Sequence, residues 1–289
     1  MTGGTGVRTG AGAEPASPPV QRIRKAGRRQ RIGRLLRTAP GVVLLVVSLV
    51  CLIAIWQYAQ TKVRSIPPLY LPPPSAIWDA LLQNFSNGEF QKNIAYSLKN
   101  YGVGLAIGAS AGVAIGLVTG GIRKVNIILT PYIWALYSTP NIAFQPILIV
   151  ALGFTPLPKI IMIVSGVIFP IIVNTIAGVE KVDGSLIRAA RVFGASRFQL
   201  YVKVAIPYTI PFIMTGLRLG ATRGLLYMYI SEIYGSTEGL GYMVLQATHR
   251  FQTPIAFAGV ILLVVISVLI VQVLQVAPRL LPYTRAAKI

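Results

Sequence analysis

Residues 100–122 read NYGVGLAIGASAGVAIGLVTGGI, a run with no charged side chain, in which Gly104, Gly108, Gly112, Gly116 and Gly120 recur every fourth position. A charge-free run of this length spans a bilayer as a helix, for which roughly 20 apolar residues suffice. Glycine at every fourth place, with Ala106, Ala109, Ser110 and Ala111 among them, leaves the helix a face with almost no side chains. Such a face lets another backbone approach closely. Four residues advance about 400°, so the stripe turns about 40° per step and should meet its partner obliquely.

Working outward, residues 38–61, 125–158, 160–179 and 251–278 are also uncharged, and 204–231 is interrupted only by Arg218 and Arg223. With 54% hydrophobic and 12% charged residues in 289, and a mean hydropathy of +0.67, the chain has more apolar surface than a soluble core needs. The expected fold class is all-α, a polytopic membrane protein of six transmembrane helices. Cys51 is the one cysteine, which excludes an internal disulfide and cysteine metal sites; inside an apolar run it reads as a packing residue.

An excess of 27 Lys and Arg over 7 acids would suggest nucleic acid in a soluble chain. Here the cations cluster at the ends of apolar runs and report topology, with no nucleic-acid role. Eighteen fall in 22–37, 123–124, 181–203 and after Pro278, against five at Lys62, Arg64, Lys92, Lys159 and Arg250. That asymmetry places both termini and the 180–207 loop in the cytoplasm. Residues 1–37 form a basic tail, disordered over its first 21 residues and lying against lipid thereafter, and 38–289 form the membrane domain. The first run is too long for a cleaved leader and lacks an A-x-A-like site.

The external segment, 62–93, contains LPPPSAIWDALLQNFSNG at 71–88. Ser75 can cap a short helix there, with Ile77, Trp78, Leu81, Leu82 and Phe85 on one face and Gly88 as terminator. This face reads as an interfacial anchor, with docking of a partner as the other possibility. The 125–158 run exceeds one span and is broken by Pro131, Pro140, Pro146, Pro156 and Pro158. Proline frees carbonyls that lipid cannot satisfy, so this region must face protein or water. Asn141 and Gln145 are therefore candidate pathway residues, equally readable as interhelical hydrogen bonders.

Arg218 and Arg223 lie roughly 16 and 24 Å along a helix from Pro207, at 1.5 Å per residue. An arginine at that depth costs several kcal/mol unless it faces a partner or water. Both are pathway candidates for an anion, or else structural. Lys99, near the start of its span, can snorkel to the interface.

The cytoplasmic loop contains RAARVFGASRFQLYVKVAIP, residues 188–207. Ala189, Ala190, Gly194, Ala195 and Ser196 offer a protein groove a nearly bare surface, with Phe193, Phe198, Leu200 and Tyr201 as apolar anchors. Gly194 permits a turn between two short helices, and Pro207 fits the first turn of the returning helix. This loop resembles the "EAA" loop of binding-protein-dependent ABC importer permeases, through A-A-x-x-x-G at 189–194 and V-x-I-P at 204–207. Arg188 stands where that family usually has an acid. LPPPSAI, PNIAFQPILIVALG, GLRL and SEIYGSTEGLGY resemble its nitrate, sulfonate and taurine branch, over roughly 71–278.

The resemblance implies a homodimeric permease, two cytoplasmic ABC ATPase subunits and an external solute-binding protein. ATP and Mg would be bound by the partner ATPase, with no cofactor or metal on this chain. Arg188, Ala189, Ala190, Phe193, Gly194, Ala195, Ser196 and Pro207 would form the ATPase-coupling element. Independently, the chain has no G-x-x-x-x-G-K-[ST] loop, so ATP phosphates must be held elsewhere. An ion-coupled secondary transporter is the alternative, disfavoured because the span interiors contain no Asp or Glu. No catalytic constellation accompanies the single histidine, His249, which reads as solvated.

Overall fold

The computed structural model describes residues 2–3, 43–44, 46–63 and 67–280; the rest of the basic tail at 1–37 and the cations beyond 280 lie outside the described residues. The described residues form helices and connections, with no strand among them. They divide into two units, Met1–Ala59 and Gln60–Ile289. Helix α1, Val46–Val63, ends in a π-turn at Ala59–Val63. Cys51 on it is exposed, so the packing role expected for this thiol is not met among the described residues.

The second unit is organised on three long helices, α3 (Glu89–Gly121), α6 (Pro156–Glu180) and α9 (Ile206–Gly235). The glycine face of α3 packs on α6. A Cβ at Gly104 would lie 2.5 Å from Ile163 Cγ2, at Gly108 2.9 Å from Val167 Cβ and at Gly116 2.6 Å from Thr175 Cβ. Gly112 and Gly120 make the same approach to Ile171 and Val179. The facing residues of α6 also step by four, so one stripe follows the other along five turns. With lipid as apolar as leucine, this close van der Waals fit supplies the association energy.

α6 is also packed closely by α9. Gly220 of α9 sits against the Val167 carbonyl, and Gly224 against the Val167 side chain. Tyr101, Ile163, Val167, Ile171, Leu225 and Met228 form the shared apolar core. The buried Tyr101 hydroxyl donates to the Ala221 carbonyl at 3.0 Å, tying α3 to α9.

The proline-rich run is broken as its composition requires. Helices α4 (Arg123–Ser138) and α5 (Gln145–Leu152) flank a 3-10 turn at Asn141–Phe144, and the chain bends there by 77°. Counting this pair as one broken span, the described residues contain up to six apolar crossings. Two boundaries differ from expectation: α3 begins at Glu89, inside the expected external segment, and α9 runs on to Gly235, past Ser231.

The external helix α2 is Pro74–Ser86, with Pro73 as N-cap and no side-chain cap, so Ser75 does not cap it. Proline at N1 supplies a preset φ and has no orphan N–H to satisfy. The expected single apolar face is divided. Ile77, Ala80 and Asn84 are buried, whereas Trp78, Leu82 and Phe85 are exposed. A narrow buried stripe holds α2 to the protein, and the outward aromatics suit an interfacial position.

The connection between α6 and α9 is two short helices, α7 (Gly184–Val192) and α8 (Arg197–Leu200), followed by a π-turn at Tyr201–Ala205 and α9. The returning helix therefore starts earlier than Pro207. Helix continues from Arg197 to Gly235, with Pro207 within it. Proline has no N–H to donate, and the wider turn just ahead of it lets the helical path continue.

Candidate functional site

The α7–α8 corner is built by local capping at both ends. Asp183 Oδ1 accepts from the Ser185 N–H at 2.8 Å and starts α7. At its end, Gly194 N–H donates to the Arg191 carbonyl at 2.9 Å and Ala195 N–H to the Ala190 carbonyl at 3.1 Å. This is a Schellman closure with glycine at the left-handed position, where φ is +77°. Ser196 and Gln199 then form a reciprocal capping box at α8. The S-x-x-Q spacing at 196–199 is a helix-start signal that sequence reading could have used and did not.

These caps hold the corner rigidly in an open position. Leu200 is buried, and the Tyr201 hydroxyl donates to the Leu117 carbonyl while its ring covers Gly121, pinning the stem to the end of α3. Of the four expected apolar anchors for a partner, these two turn toward the protein, whereas Phe193 and Phe198 face outward at 90% and 75% exposure, with Val192 at 85%. Burying such side chains is worth about 1.5–3 kcal/mol each, so the corner carries unspent apolar surface. Arg188, Ala189, Gly194 and Ser196 are exposed beside them, and Ala190 and Ala195 are half-buried. Pro207 belongs to the stem and lies apart from the corner.

The Asp183 cap also sets a pH response. Hydrogen bonds from Ser185, chiefly its backbone N–H, lower the carboxyl pKa below its ordinary 3.8. A depressed folded pKa means that the cap's contribution is present above about 3.8 and is lost as pH falls through the lower, folded value. Amide exchange at Ser185 should accordingly accelerate in acid relative to the intrinsic rate. In Asp183→Ala it should be fast, after the same correction, at every pH.

The four intramembrane candidates do not converge. Asn141 is half-buried and donates to the Leu136 carbonyl at 3.4 Å, satisfying a carbonyl freed by the helix break. Gln145 is fully buried and donates to the Ser231 carbonyl at 3.4 Å, and its Oε1 has no partner. Arg223 is exposed with its guanidinium 4.5 Å from the Tyr137 ring centre; Arg218 is half-buried, with its Nε buried and unbonded. Five residues separate the arginines, which places them about 140° apart around α9.

Two buried charges escaped the sequence reading. Lys159, taken for an outer-loop cation, is buried on α6 and donates to the Tyr96 hydroxyl at 2.8 Å. Glu232, one residue beyond the expected end of its span, is fully buried in α9. It stands at the edge of the span, whose interior from 204 to 231 holds no Asp or Glu. This carboxylate is tolerated because the Ser97 hydroxyl and the Gly241 N–H both donate to its Oε2 at 2.9 Å.

Five or six apolar helices with a capped, exposed corner define an all-α polytopic membrane protein. Residues 104–281 match the family described as binding-protein-dependent transport system inner membrane component, and the chain belongs to that family. It is 31% identical to the putative aliphatic sulfonates transport permease protein SsuC of Bacillus subtilis (strain 168), over 86% of this chain and 87% of that one. It is also 31% identical to the taurine transport system permease protein TauC of Escherichia coli (strain K12), over 79% and 85% of the two chains. A putative ABC transporter permease protein of Methanocaldococcus jannaschii is 29% identical over 75% and 83%. The chain is thus a non-catalytic permease subunit of an ABC importer, a multi-pass protein of the cell membrane whose family partners are an ATPase and a binding protein. Membership in this family displaces the secondary-transporter alternative.

Proposed function

We infer that this chain forms, as a homodimer, the membrane pathway for a small anionic solute of the sulfonate class, driven by two copies of a cytoplasmic ATPase that bind ATP and Mg. An external solute-binding protein delivers the solute. The observation that carries this reading is the exposed Val192, Phe193 and Phe198 on a corner capped at both ends. A rigid apolar knob fits a groove on a partner, and the charge asymmetry of the loops puts that partner in the cytoplasm. The knob, with Arg188, Ala189, Ala190, Gly194, Ala195 and Ser196 around it, is the coupling element. Pro207 and the π-turn form its stem, and ATPase closure would move the corner and the α9 stem together.

The anion assignment draws on Arg218 and Arg223 within the span, and on relatives named for sulfonate and taurine transport. Asn141 and Gln145 at the helix break are the remaining pathway candidates. Cross-linking from Phe193→Cys in a Cys51→Ser background tests the coupling assignment. A covalent adduct with the ATPase is expected, and its absence from an assembled complex would refute the docking. For the pathway, Arg218→Gln should raise the KM for sulfonate uptake about tenfold, the worth of one charged contact near 1.4 kcal/mol, with membrane insertion unchanged. Equal KM values would assign Arg218 to structure alone.

A further inference from the structure

The outer end of α9 carries a cluster that coupling by the inner corner leaves unused. The short helix α10, Leu240–His249, begins at Gly239 without a side-chain cap of its own. Its first N–H groups are instead satisfied by side chains of two other helices. Gly239 N–H donates to Asn93 Oδ1 at 2.8 Å, Leu240 N–H to Ser97 Oγ at 2.9 Å and Gly241 N–H to Glu232 Oε2 at 2.9 Å. The Ser97 hydroxyl in turn donates to the same oxygen, Oε2, at 2.9 Å, while Glu232 Oε1 is buried with no hydrogen-bond partner. The carboxylate thus meets the positive end of α10.

The fit leaves no room for side chains. A Cβ at Gly239, where φ is +109°, would lie 2.5 Å from Glu232 Cδ, and one at Gly241 2.6 Å from the Tyr229 carbonyl. The G-L-G sequence at 239–241 is what allows the helix end to seat on the carboxylate. α10 is fastened in this way to α3 and α9 together. Its far side lines an outer cleft of about 300 Å³ with Lys92, Glu238, Tyr242, Gln246 and Arg250, which the Lys92–Glu238 ion pair crosses at 2.9 Å.

Glu232 stands on the same helical run, Arg197–Gly235, that starts beside the projecting corner. At 1.5 Å per residue this run is roughly 58 Å long, well beyond a hydrocarbon core of about 30 Å. The corner and the outer cleft are therefore opposite ends of one rod. We propose that Glu232 is the positioning residue that makes α10 move with α9, so that displacement of the inner corner reaches the outer cleft. The proposal rests on the coupling reading above and adds the outer half of the linkage. The Glu232 bond is the side-chain hydrogen bond from α9 to α10; Ser97 and Asn93 bond α10 to α3, and Val244 and Ala247 pack it apolarly among Tyr229, Ile255 and Ala256.

The test uses the whole complex in proteoliposomes, with Cys51→Ser and Gln246→Cys on α10, and a membrane-impermeant maleimide added outside. Labelling rates are compared without nucleotide and with ATP plus orthovanadate, a probe that requires no knowledge of the solute. With Glu232 present the rate should differ about fivefold or more between the two states, the lower end of typical site-to-site coupling. In Glu232→Gln the difference should fall below about twofold, within what coupling of a few tenths of a kcal/mol produces, while ATPase assembly persists. Should that variant fail to insert, Ser97→Ala, which removes one hydroxyl from the network, serves in its place and should shrink the difference. A purely structural role would alter labelling equally in both states. The proposal is overturned if labelling ignores the trapped state with Glu232 intact, or if both variants keep the full difference. An intact Phe193→Cys cross-link with an unresponsive Gln246→Cys rejects this linkage alone, whereas loss of the cross-link rejects the coupling reading.

Discussion

Phe193→Asp should reduce co-purification of the ATPase by about thirtyfold and abolish uptake, while the permease inserts normally. The ring is 90% exposed, so its removal disturbs no internal packing. An aromatic anchor of an interface is worth about 2 kcal/mol or more, and each 1.4 kcal/mol is tenfold in affinity. Aspartate loses that term and adds a carboxylate that a closed groove must desolvate. The paired control is Leu200→Asp, which alters a buried side chain of the stem and should lower the yield of folded protein. Quantifying both subunits after affinity capture, alongside uptake, separates the two effects. Retained capture of Phe193→Asp would show that the ATPase grips another surface.

Gly220→Leu should eliminate the folded permease, with a cost of at least about 3 kcal/mol. Its Cβ would lie 2.7 Å from the Val167 carbonyl oxygen, a backbone atom that cannot rotate aside. Val167 has little room to shift, because Gly108 of α3 also presses on it, with a Cβ there 2.9 Å away. Gly102→Leu is the matched control. Gly102 is on α3, has nothing within 4 Å of a Cβ and should tolerate the same substitution. Size-exclusion profiles and thermal unfolding in detergent distinguish the two, and a monodisperse Gly220→Leu protein would contradict the three-helix packing.

Gly220 and Gly108 also show where linear reading stops. The fourfold glycine spacing of α3 announces a close helix contact, since removing side chains from one face has no other use in lipid. The stripe cannot say which helix answers it. α6 does so through Ile163, Val167, Ile171, Thr175 and Val179, of which four are apolar like many others of the run and Thr175 is polar. The α9 glycines at 216, 220 and 224 are equally regular, yet nothing in their spacing names α6 as the helix they meet.

The loop divides in the same way. Gly194 and the spacing around it suffice to place a turn, because a left-handed residue and its flanking caps are local properties. Phe193, Phe198, Leu200 and Tyr201 form one apolar set in the sequence. Only the geometry separates the pair that pins the stem to α3 from the pair that faces outward.

Charge-free length, proline placement and the side on which cations gather decide that this chain crosses a membrane repeatedly, where its third run breaks and which loop projects. These follow from one dimension because lipid demands that each span satisfy its own backbone, making every span a local solution. Glu232 is the opposite case. Its neighbours Ser97 and Gly241 come from α3 and α10, and the carboxylate is bearable in the protein interior only because those distant groups donate to it. Burial of a charge is a sum over three-dimensional neighbours, so tertiary structure alone could turn an acid at the edge of a span into the clasp of an outer helix.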